Sequence, residues 1–363
     1  MAEKTNGLSI ELLSHPGETL QEILESNNMS QKELAARINV TPKHINQIIS
    51  GLVGISSDVA FRLEKVFNLS AKFWMNLQSK YDAEKMQILE ENEVTEEEVC
   101  MCQGDIYKQL VRWGYIVKQQ SAQKRVVQMR DFLGVSNLSN IDRTIAAHAL
   151  FRRSTAVNTN NFALAAWMKI CEIETDSIDI NKILDIERLQ NSIDSIRTLN
   201  THADPNEIVG ELVKIFADCG IAFAVVRNVK GAPVQGFIRK INNKMRLCVT
   251  LRNRYSDIFW FTLFHEIGHL LSVGGDEFFV DFSGAELTSQ EKNADKFATE
   301  TLLSHHNYSE FIAHGDFSKS AICNFACKNG ILPGILVGRL QHDKYIPNSH
   351  CNDLRSQYFW AES

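Results

Sequence analysis

The run IFWFTLFHEIGHLL at residues 258–271 is the richest apolar stretch in the chain, and it carries two histidines four residues apart with a glutamate directly after the first. On a helix, His265 and His269 share one face about a turn apart, so both imidazoles can reach a single metal ion. Glu266 projects beside that metal, where it can hold a water and take its proton. Gly268 costs roughly 1 kcal/mol of helix propensity relative to alanine. That cost makes sense if another backbone or a substrate comes close there.

A catalytic zinc site takes three protein ligands and leaves a fourth position open. Downstream, SQEKNADKFATETLLS at 289–304 reads as a second helix carrying Glu291 and Asp295, again four apart. Glu291 would complete a His₂Glu set, with Glu277, Asp281 and Glu286 as the competing third ligands. Asp295 would accept the N–H of a ligating histidine and so fix its tautomer. His342, in VGRLQHDKY, closes a helix where an imidazolium suits the dipole, and it could reach the cleft to stabilise an oxyanion.

The first 81 residues suggest a different trade. NNMSQKELAARINV starts a helix with Ser30 as N-cap and Glu33 three residues on, a capping box. VTPKHINQIISG starts another with Thr41 as cap, Pro42 at the first helical position and Gly51 past the end. Two short helices joined by NVT form a helix-turn-helix outline. The second would turn Ile45 and Ile48 inward and present Lys43, His44, Asn46 and Gln47 to a major groove. Asn and Gln suit adenine edges, and Lys suits guanine. Gln31, at the start of the preceding helix, suits a phosphate. Lys32, Arg37 and Lys43 against Glu33 make a small positive excess, so a homodimer on operator DNA is implied.

The net charge of −6 over 363 residues excludes a protein coated in positive charge, so any nucleic-acid contact must be local. Eight cysteines without a CxxC pair read as reduced thiols in core positions of a cytoplasmic protein. The N-terminus has no apolar core of signal-peptide length, and no run approaches a membrane span. Residues 82–98 hold eight acids and one lysine, a solvated connection or helix face. Helical segments continue to about residue 204. Then IAFAVVRNV and the alternating runs around NNK indicate strands, including a hairpin.

Two stretches resemble known families. Residues about 14–80 closely resemble the HigA antitoxin branch of the XRE-family helix-turn-helix proteins. Residues about 205–345, through FWFTLFHEIGHLL, EKNADKFATETLLS and LPGILVGRLQHD, look like the ImmA/IrrE family of zinc metallopeptidases. The whole chain looks like the long HigA-type regulators that join both domains. The resemblance implies DNA binding at the N-terminus, zinc ligands His265, His269 and Glu291, and Glu266 as general base. The family often has Asn where this chain has Asp295, and either side chain can accept from a histidine N–H.

The expected fold is mainly α with a small α+β C-terminal domain. A helix-turn-helix bundle at 1–81 and a helical connecting region at 82–204 precede a zincin-like metallopeptidase domain with a small antiparallel sheet at 205–363. The expected function is a DNA-binding regulator whose zinc peptidase cleaves a repressor protein or the chain itself. The alternative is an antitoxin that binds a toxin, its zinc domain a sensor or scaffold.

Overall fold

A computed structural model describes residues 10–143, 160–180, 182–202, 204–241, 244–251, 254–273, 279–282 and 289–360. The chain divides into two compact units, one of residues Met1–Gln103 and Lys118–Met129, the other of Gly104–Val117 and Arg130–Ser363.

The first unit is helical. Its helices include α1 (Pro16–Ser26), α2 (Gln31–Arg37), α3 (Pro42–Ile49), α4 (Ser57–Phe67) and the longer α5 (Ala71–Asn92). Ser30 and Thr41 cap α2 and α3 through their side-chain oxygens, which accept from the backbone N–H of Glu33 and His44. The Glu33 carboxylate pairs with Arg37 at 2.7 Å rather than reaching back to the cap, so the expected box is used in one direction. Asn39 takes a left-handed φ of 55° in the turn between α2 and α3, a conformation asparagine tolerates better than branched residues. Leu20, Leu34, Ile45, Ile48, Leu63 and Trp74 close the core. The acidic stretch at 82–98 is mostly helical, running through the end of α5 and into α6 (Glu96–Gln103), with a break only at residues 93–95.

The second unit is built on a four-stranded sheet in the order β1-β3-β2-β4, with β1 at Ile221–Val226, β2 at Val234–Ile241, β3 at Lys244–Thr250 and β4 at Phe279–Phe282. Strands β2 and β3 form the expected antiparallel pair, and β4 pairs antiparallel with the other edge of β2. The sheet is nevertheless mixed rather than antiparallel, because β1 runs parallel to β3. The physical reason lies in burial. β1 and β3 are buried along nearly their whole length, as strands covered on both faces are, and so read as apolar runs that carry no signal of direction.

Helices cover both faces. On one, Ile221, Phe223, Ile238 and Leu247 join a core with Leu212 and Phe216 of α11 (Pro205–Asp218) and Trp260, Phe264 and Ile267 of α12 (Ser256–Val273). On the other lies α9 (Asn161–Asp176). Its Trp167 meets Phe237 edge-on at 5.8 Å, and its Glu172 carbonyl accepts from Arg246 of β3 at 2.9 Å. Leu189 and Ile196 of α10 (Ile186–Thr198) enter the first of these cores.

The region 82–204 is therefore not a free-standing connector in this structure. Its later helices belong with the sheet, as their burial on most sides requires. The expected helix IDRTIAAHALFRRS and the Asn242–Asn243 turn fall largely outside the described residues. Among the described residues, no single helix is long and apolar enough to cross a membrane.

Candidate metal centre and helix-turn-helix face

Helix α12 carries His265, Glu266 and His269, which are 4%, 0% and 1% exposed. Its start is fixed by Asp257 in the first turn, held by two bonds from Arg355 at 3.1 and 2.7 Å. Burial pushes the Asp257 carboxyl up, and the guanidinium opposes that rise. Gly268 faces α13 (Ser289–Leu302), and a Cβ there would lie 3.0 Å from the Ala294 Cα. The glycine thus lets α13 approach, which delivers Glu291 and Asp295 to the histidines.

The convergence is tight. His265 Nε2 lies 2.9 Å from His269 Nε2 and 3.2 Å from Glu291 Oε2, and His269 Nε2 lies 3.5 Å from the same oxygen. Tetrahedral ligands about 2.0–2.1 Å from zinc sit roughly 3.3 Å apart, so the three atoms are spaced to share one ion. Burial would raise the Glu291 carboxyl, but hydrogen bonding to both histidines outweighs it and holds the group well below the usual carboxylate range. Asp295 Oδ1 lies 2.8 Å from His265 Nδ1, on the side of the ring away from the ligand cluster. That bond fixes the ring so that Nε2 is the nitrogen offered to a metal. Glu277 and Glu286, and the side chain of Asp281, lie outside the described residues.

Beside this cluster is a cavity of about 460 Å³, walled by Phe261 and Asp295 and closed on another side by α16 (Pro333–His342). His342 lines it, largely exposed, with Nδ1 2.9 Å from Asp343 Oδ1. It is not one of the groups converging with Glu291. Asp343 also accepts from Tyr308 and Arg339. Sequence reasoning passed over Asp343, whose only sign was its place next to a histidine. It also passed over Gly236, an isolated glycine inside a strand and thus a marker of close approach.

In the first unit, Lys43 and Asn46 are exposed on α3, while His44 and Gln47 are half-buried beside Ile45 and Ile48. Gln31 is half-buried at the start of α2, with its amide 3.5 Å from Gln21. The cysteines are all free. Five are buried, but Cys100 and Cys327 are exposed, and Cys323 is half-buried.

The sequence profile of the helix-turn-helix family matches residues 20–74. Virulence-associated protein I of Dichelobacter nodosus is 41% identical over 69 residues, 19% of this chain and 64% of that protein. The uncharacterized HTH-type transcriptional regulator YddM of Escherichia coli is 30% identical over 73 residues, 19% of this chain and 78% of its own length. Among solved structures, the Pseudomonas aeruginosa antitoxin HigA with its higBA promoter is 38% identical, with 23% of this chain and 96% of that chain covered and a TM-score of 0.21. The chain spans about three fifths of the length of the first two curated relatives, 64% and 60%.

Proposed function

We propose, from the premise that this chain belongs through residues 20–74 to the helix-turn-helix family, that it is a DNA-binding regulator joined to a zinc-dependent peptidase. The regulator half is supported by α3, whose outer face presents Lys43 and Asn46 while Ile45 and Ile48 anchor it. Two copies on a two-fold operator would multiply the small positive excess of one.

The peptidase half is carried by one observation: two histidine nitrogens and a glutamate oxygen meet at 2.9–3.5 Å with a fully buried Glu266 in the same helix turn. Zinc held by His265, His269 and Glu291 supplies Lewis acidity toward a peptide carbonyl and a water. Glu266 takes a proton from the water as its oxygen attacks the carbonyl carbon, and gives that proton to the amine nitrogen as the C–N bond breaks. Asp295 keeps the His265 ring in place throughout. Among the described residues β4 is paired only with β2, so its outer edge is suited to receive a substrate segment as an added strand. The ImmA/IrrE resemblance agrees with this assignment, and the substrate class is a protein, either another regulator or the chain itself.

A second reading makes the second unit a sensor or scaffold, with the chain acting as a repressor or antitoxin that holds a toxin. It is favoured by the near-complete burial of both histidines, which leaves little of the cluster open to a large substrate. Glu266→Gln separates the two readings. It keeps the size of the side chain and all three ligands, so zinc content and operator binding stay near wild type. Cleavage of candidate regulators falls roughly 100-fold or more. If wild type and variant derepress the target promoter equally fast with no cleaved protein in either, the second reading stands.

A further inference from the structure

Gly236 is the third of the eight residues of β2, inside the strand, where glycine weakens it because it packs nothing and has more backbone freedom to lose. Its backbone lies outside the left-handed region, so torsion does not call for a glycine. Space does. A Cβ at this position would collide with Oε1 of Glu266 and sit 2.6 Å from its Cγ, closer than real Cβ atoms come to anything.

Relief would have to come from the Glu266 side chain. Gly236 is held between two strands, opposite Val249 of β3 and Asp281 of β4. Glu266 is fully buried in α12. The ladder between β2 and β4 also slips by a residue between Val234 and Gly236, which alters the local course of β2 beside the carboxylate.

We infer that Gly236 is a positioning residue: the missing side chain in β2 sets where the Glu266 carboxylate lies beside the His265, His269 and Glu291 cluster. Its catalytic meaning rests on the peptidase reading, whereas the contact itself does not. Glycine at this site trades strand stability for a fixed location of the proposed base. The neighbouring Gln235 lines the cavity next to the cluster, so the same irregularity in β2 shapes both the place of the base and one wall of the approach.

The test is a double-mutant cycle on the intact chain, using Gly236→Ala alone, Glu266→Ala alone and the pair. With Glu266 present, Gly236→Ala lowers the melting temperature by roughly 5 °C, while in the Glu266→Ala background the new methyl fills vacated space and costs about 1 °C or less. Zinc per chain is the same in wild type and Gly236→Ala. For peptide cleavage, Gly236→Ala lowers kcat by roughly 100-fold with KM changed by no more than about 2-fold, as a displaced base requires. Equal thermal losses in both backgrounds overturn the inference, and so does an unchanged kcat. Absence of cleavage by wild type removes the peptidase reading instead, and the thermal cycle then decides alone whether Gly236 sets the place of Glu266.

Discussion

The three converging side chains are brought together unequally, because only Glu291 comes from outside α12. His265 and His269 are spaced by their own helix, but Glu291 arrives on α13 through the close approach at Gly268. Glu291→Ala should therefore lose zinc to a chelator far more readily than Glu286→Ala, and equal retention in the two variants would remove the assignment. Asp295→Ala should keep the site but weaken it by about 10–100-fold in affinity, since the His265 ring loses its orienting bond. The histidine pair was legible in the sequence because spacing on one helix is local information. His15 was not. It caps α1 by accepting from the Gly17 N–H through Nδ1, although histidine is not among the favoured caps. That bond needs a neutral ring, and burial lowers its pKa, with Glu18 and Asp82 opposing and Lys85 assisting. Its folded pKa lies below the unfolded value, so its contribution is intact above about pH 6.5 and is lost as pH falls through the folded pKa. His15→Asn keeps a capping acceptor without a titrating group. Its melting temperature should fall less than that of wild type between pH 7 and pH 5, as parallel melts would show. Identical pH slopes would exclude His15 as the cause.

At the scale of elements, the helix starts of the first unit could be read residue by residue. Ser30, Thr41 and Pro42 act within three or four residues of themselves, and each occupies the expected position. Strand direction could not be read that way. The pairing of β1 with β3 joins Ile221 to Met245 across a connection that steps past β2, and nothing in IAFAVVRNV states which way its partner runs. The acidic stretch left a solvated connection and a helix face both open, and the structure makes most of it helix. Its charge indicated contact with water, which a surface helix satisfies as well as an open linker does. Helix α3 supplies the functional test at this scale. If its outer face reads base edges, Lys43→Ala and Gln47→Ala should each reduce discrimination between operator and random DNA by about 1–3 kcal/mol. Binding to random DNA should weaken mainly in the lysine variant, because only it removes a charge. Competition titrations at fixed salt would measure both, and unchanged discrimination in both variants would place the readout on another element.

At the scale of the whole molecule, the boundary expected at 204/205 cuts through one folded unit. Helix α9 lies on the N-terminal side of that boundary, yet its Trp167 covers Phe237 and its backbone receives Arg246 of β3. It also buries Phe162, Leu164 and Ile170. At about 1.5–3 kcal/mol for each large apolar side chain, those four contribute on the order of 6–12 kcal/mol. That is comparable with the entire net stability of a typical domain, roughly 5–15 kcal/mol. A fragment of residues 205–363 also loses Leu189 and Ile196 from the opposite core, so it should show no cooperative melting transition and should not retain zinc. A fragment of residues 104–363 contains both covering helices and should melt cooperatively and hold the metal. Calorimetry and metal analysis on the two fragments give the answer. A cooperative, zinc-retaining 205–363 would mean that the sheet needs only one covered face, and the metal centre would then be independent of α9.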